Sequence, residues 1–76
     1  MKQQTLLQFK EGEILKIIKI DCEGSLSQRL AALGMFDGSE AIIVKNDNFG
    51  PLILQILNSK IALSRIEANK IYGEKL

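Results

Sequence analysis

Residues 25–39, SLSQRLAALGMFDGS, form the one stretch with a helical period, a start signal and a stop signal, which limits what the rest of the chain can be. Ser25 is placed to cap a helix with Gln28 three residues on, the capping-box spacing that satisfies N–H groups left unpaired at a helix start. Leu26, Leu30 and Leu33 follow at i, i+4 and i+7, so they share one face and are expected in the core, while Ala31 and Ala32 favour helix. Gly34 supplies the stop, because it takes a left-handed conformation without a Cβ clash. This makes a short helix of about two and a half turns at 3.6 residues each. Phe36-Asp37-Gly38-Ser39 then reads as a turn.

On either side of this segment the chain reads mostly as strand. Residues 12–20, GEILKIIKI, set Ile14, Ile18 and Ile20 on one face and Leu15 and Ile17 on the other. β-branched residues over so short a length favour strand, and a strand apolar on both faces suits a sheet curled around its own core. Glu40–Lys45 and residues 51–57 read as a hairpin across the loop NDNFG at 46–50, and Asn58 with Ser59 permits a tight turn into a further strand at 60–63. Ser64 and Glu67 then make a second capping box, with Leu63 and Ala68 spaced as a hydrophobic staple, which predicts one helical turn. Ile71 and Tyr72 form a brief last strand, with Gly73 and the charged tail expected to fray. The fold expected is mainly β, a small barrel with a helix after the first strand and a helical turn before the last.

With 76 residues, the chain is expected to be a single domain, 1–76, and 46% hydrophobic residues argue for a packed core. No apolar run approaches the roughly 20 residues of a membrane helix, so direct membrane insertion is not expected. The lone Cys22 closes no intramolecular disulfide, which points to the cytoplasm. A formal charge of +1 gives little field for phosphate backbones, so no nucleic acid is expected. Catalysis fails on inventory: there is no histidine, and no phosphate-binding glycine loop of the G-x-x-x-x-G-K type occurs. A ferrous site is not expected either. Asp21, Cys22 and Glu23 are consecutive, so alternate side chains diverge, and no cofactor is implied.

Arg29-Leu30, Leu33-Gly34-Met35 and Gly38-Ser39 share a pattern with a known family, as do Gly12-Glu13, Gly50-Pro51, Lys60-Ile61-Ala62-Leu63-Ser64-Arg65, Glu67-Ala68 and Ile71. With these residues, spread over nearly the whole chain, the sequence resembles the FeoA family, small accessory proteins of bacterial ferrous iron uptake. The resemblance implies an SH3-like barrel in the cytoplasm that binds the cytosolic part of FeoB, a permease carrying a GTPase domain, and so supports or regulates transport. Three departures stand out: Asp37 replaces a common proline, Asn58 replaces a common glycine, and no aspartate separates Gly50 from Pro51.

Arg29, Phe36 and Phe49 are the candidate partner-binding residues. Arg29 flanks the leucine stripe, where its guanidinium can reach either a neighbouring carboxylate or a partner. Phe36 and Phe49 sit in turns, where a ring is either a contact anchor or a cover for the end of the barrel. Met35, after the stop glycine, is expected in the core. Two rival functions stand beside the first: an RNA- or ribosome-associated small barrel, and a free-standing relative of the C-terminal domain of metal-responsive repressors. Weak self-association through exposed strand edges stays open.

Overall fold

The computed structural model describes residues 4–21, 24–57 and 59–76. Strands β1 (Gln4–Thr5), β2 (Ile14–Ile20), β3 (Glu40–Lys45), β4 (Leu52–Ile56), β5 (Ser59–Leu63) and β6 (Ile71–Lys75) form one sheet. Every pairing is antiparallel and the spatial order is β1-β6-β2-β3-β4-β5. Helix α1 (Ser25–Ala32) lies between β2 and β3, and the short helix α2 (Arg65–Ala68) lies between β5 and β6. A 3-10 turn, Leu6–Gln8, follows β1.

Alternation along the strands explains the core. Leu15 and Ile17 of β2, Ala41 and Ile43 of β3, Leu52, Leu54 and Ile56 of β4, and Ile61 and Leu63 of β5 all turn to the same concave face and are buried. Leu6, Phe9, Leu30, Met35 and Ala68 close over that face. Each fully buried Leu or Ile contributes about 1.5–3 kcal/mol of transfer free energy. The register of β2 against β6 slips between Ile17 and Lys19, a bulge that leaves Ile18 without a partner. The alternation reverses there: Ile17 is buried, and Ile18 and Ile20 beyond it are half-buried. Ile14 before the bulge is exposed, so the expected face of Ile14, Ile18 and Ile20 is split in two.

Among the described residues the sheet curls without closing, since edges β1 and β5 are not hydrogen-bonded to each other. The 3-10 turn and α2 pack together between them and cover the gap. Four further expectations are corrected. A two-residue strand precedes the one expected to be first, so α1 follows the second strand. The cap of α1 is Gly24, at φ +69°, rather than Ser25, which is already helical. Of the three leucines, Leu30 is fully buried and Leu26 partly, but Leu33 is 40% exposed. Finally, β6 runs on through Gly73 to Lys75, because Gly73 pairs with both Gln4 and Ile17. The stop of α1 is as expected: Gly34 at φ +92° donates to Ala31 O at 3.0 Å and Met35 donates to Leu30 O at 2.9 Å. That is the Schellman arrangement, and it carries Met35 into the core. The readings placed on Cys22, Glu23 and Asn58 lie outside the described residues.

Candidate partner-binding surfaces

The second capping box positions α2 and, through it, two arginines. Glu67 N–H donates to Ser64 Oγ at 3.1 Å, and Ser64 N–H donates to Glu67 Oε1 at 3.0 Å. The same Glu67 oxygen faces Arg29 Nη2 of α1 at 3.6 Å. Arg29 thus takes the structural option, a half-exposed ion pair worth about 0–1 kcal/mol.

Arg65, the first residue of α2, reaches the loop between β3 and β4. Its Nη1 donates to Gly50 O at 3.3 Å, and its Nη2 donates to Asn46 Oδ1 at 3.2 Å and Asn48 Oδ1 at 3.4 Å. Asn46 in turn donates through Nδ2 to Leu7 O at 3.0 Å and Phe9 O at 2.7 Å, and its N–H donates to Glu11 Oε2 at 2.9 Å. Inside the loop, Asp47 Oδ1 accepts from the N–H groups of Phe49 and Gly50 at 3.1 and 3.3 Å. Those two donors, with Lys45 nearby, hold the Asp47 carboxyl below the usual carboxylate range. A five-residue loop fastened at this many points leaves Phe49 standing 93% exposed at its tip.

Phe36 stands on a second fastened turn. Its N–H donates to Ser39 Oγ and its carbonyl accepts from Ser39 N–H, both at 3.0 Å, while Gly38 N–H donates to Ile17 O at 2.6 Å. The ring is 56% exposed and borders a shallow groove of about 400 Å³ lined also by Ile20, Ser27, Ala31, Met35 and Asp37. Arg29 does not share this groove, because at 100° per residue it lies on the opposite side of α1 from Ser27 and Ala31. Phe36 precedes β3 and Phe49 follows it, so the two rings occupy opposite ends of a six-residue strand, roughly 20 Å along its length. The three residues singled out from the sequence therefore occupy three places, not one site.

Sequence reasoning passed over a further apolar surface. Ile14 and Ile42 face each other across β2 and β3 on the outer side of the sheet, and both are exposed. They line one shallow depression with Gln55 and Leu57, and a second joins Leu57 to Gly34 and Ile56. Leu57 is 81% exposed and has φ +53°, a backbone conformation that leucine rarely adopts. The alternation of Ile14 with buried Leu15 and of Ile42 with buried Ile43 was the available signal. Among the described residues, no three His, Cys, Asp or Glu side chains gather as a metal cluster, and no helix is long and apolar enough to cross a membrane.

The family model that matches residues 4–75 describes the FeoA domain. A protein named Fe(2+) transport protein A from Methanocaldococcus jannaschii is 40% identical over 65 residues, which span 86% of this chain and 78% of that relative. A crystal structure of an iron uptake regulatory protein (FeoA) superposes with a TM-score of 0.85 at 18% identity, covering 100% of both chains. A manganese-dependent transcriptional repressor superposes with a TM-score of 0.86 at 18% identity, covering 97% of this chain and 42% of that one. At such identities these two structures speak to the fold, and they bear out a mainly β, SH3-like domain.

Proposed function

The chain belongs to the FeoA family, and from that premise we propose that it is an accessory protein of ferrous iron transport that acts in the cytoplasm by docking on the cytosolic part of a FeoB-type permease. The observation that carries this reading is the family match over residues 4–75, nearly the whole chain. The geometry supports a contact function: two aromatic side chains stand exposed on turns that internal hydrogen bonds hold in place. A rigid, exposed ring loses little conformational freedom on binding and supplies a large apolar area, which is what interface anchors do. Phe49 is the principal anchor and Phe36 a second, while Arg29, already engaged with Glu67, contributes least.

The test is quantitative binding to the purified cytosolic domain of the permease, with Phe49→Ala, Phe36→Ala and Arg29→Ala compared. Phe49→Ala is expected to cost about 2 kcal/mol, the scale of an interface hot spot, and Arg29→Ala under about 1 kcal/mol. Wild-type affinity in well-folded Phe49→Ala and Phe36→Ala variants would remove both rings from the interface.

A further inference from the structure

We propose that Arg65 is a positioning residue for partner docking: it touches no partner itself, and it holds the loop 46–50 in the one conformation that presents Phe49. The proposal rests on the reading that Phe49 is a contact anchor, and it assigns the cause of that anchor's readiness to a side chain sixteen residues away in sequence.

Three observations converge on it. First, the guanidinium of Arg65 spans the loop from start to end, donating to the side chains of Asn46 and Asn48 and to the carbonyl of Gly50. A planar fork with five donors can serve three acceptors at fixed angles, whereas an ammonium of one point charge cannot fix them together. Second, Asn48, the residue before the ring, sits at φ +72°. Asparagine tolerates that left-handed geometry, but an isolated loop does not favour it strongly, so the bond from Arg65 to the Asn48 side chain selects it. Third, the ring of Phe49 makes no buried contact that would order the loop from its own side, being 93% exposed. Loop order therefore comes from the polar bonds beneath it.

Arg65 is in turn fixed by its place at the first position of α2, whose start is set by the Ser64 and Glu67 box and whose Ala68 is fully buried. The start of the loop is also tied to Leu7 O and Phe9 O through Asn46, but the bonds to Asn48 and Gly50, on either side of the ring, refer the anchor to the core through α2. The energetic consequence is preorganisation: ordering loop residues at the moment of binding costs conformational entropy, and a loop ordered beforehand avoids most of that cost.

Two measurements test this. In the free protein, backbone ¹⁵N relaxation of residues 47–50 is expected to give order parameters of about 0.85 in wild type and below about 0.6 in Arg65→Gln, with Arg65→Lys intermediate. In binding to the permease's cytosolic domain, Arg65→Gln is expected to weaken affinity about tenfold in the wild-type background and less than about twofold in the Phe49→Ala background, because the two residues act as one unit. A loop that stays rigid in a folded Arg65→Gln variant overturns the proposal, whatever the binding result. A loop that loosens with no loss of affinity overturns it too, while leaving Phe49 as an anchor if Phe49→Ala still binds weakly. Equal losses from Arg65→Gln in both backgrounds overturn it by making Arg65 a separate contact. If Phe49→Ala binds like wild type, it is the docking reading that fails, and the relaxation data then say independently whether Arg65 orders the loop.

Discussion

Leu57 stands at φ +53° with its side chain largely in solvent, so its backbone carries a cost that its own packing does not repay. For an L-residue the left-handed region costs about 1–2 kcal/mol, and asparagine reduces that penalty. Leu57→Asn is therefore expected to raise stability by about 0.5–1 kcal/mol in denaturant melts, despite removing a large apolar group. The carboxylates give a second prediction at this scale. Glu13 accepts from Lys10 N–H at 2.7 Å and pairs with Lys75 at 2.9 Å, and the Lys10 bond first, with Lys75 second, holds its carboxyl below the usual range. A lowered folded-state value means that the unfolded chain binds protons more readily. The contribution of Glu13 is therefore complete above the ordinary glutamate value and is lost as pH falls through the folded one. Glu13→Gln should flatten the acid limb of the stability curve below about pH 4.3, read as the denaturation midpoint against pH. Neither residue announces itself in sequence: the left-handed φ at Leu57 belongs to a turn between two strands, and of the two partners of Glu13 only Lys10 is close in sequence, Lys75 coming from β6 at the far end of the chain.

At the scale of elements, β6 shows where local reading succeeds and where it stops. Strand β3 and the cap of α2 were legible because their signals are local: a short, β-branched apolar run between turn residues in one, and a reciprocal serine and glutamate in the other. The extent of β6 was not, because Gly73 reads as a breaker until its neighbours are known. A Cβ there would collide with the Leu15 side chain and lie 3.2 Å from Lys16 O, so only glycine lets β6 approach β2 this closely. Gly73→Ala is expected to destabilise by about 1–3 kcal/mol, whereas Gly50→Ala, with nothing within 4 Å of the added carbon, should stay within about 0.5 kcal/mol. Chemical denaturation of the two variants side by side gives the comparison. Helix α1 shows a similar limit: its leucine stripe was visible, but a short helix at the rim of the sheet buries only Leu30 completely. Gly24 is the cap residue, at a positive φ that glycine takes without a Cβ clash, and Ser25, the stronger cap by residue type, is left inside the helix.

For the molecule as a whole, a small, mainly β barrel was legible in the spacing of short strands and turns, whereas its SH3-like character came only as what the family resemblance implies. The contact surfaces were less so. That Phe36 and Phe49 belong to turns is legible, but that both turns are fastened, and that a helix does the fastening at one of them, depends on which segments fold next to each other. The exposed pair Ile14 and Ile42 is similar: each looks like an ordinary strand residue, and only the sheet places them side by side.

The pairing of β1 with β6 has one more consequence, for chain connectivity. Gln4 lies opposite Gly73 and Thr5 opposite Tyr72, so the first and last strands meet as neighbours in one ladder. The order in which the polypeptide is threaded is therefore almost cyclic. A few flexible residues joining position 76 to position 1, with new ends opened between Leu57 and Ser59, would preserve every ladder except the turn of the β4–β5 hairpin. Such a circular permutant is expected to fold to the same sheet, shown by retained amide chemical shifts in β2, β3 and β6. For the same reason, the chain enters the sheet at Gln4 and runs out of it past Gly73 side by side, in one ladder that the loop carrying Phe49 does not share.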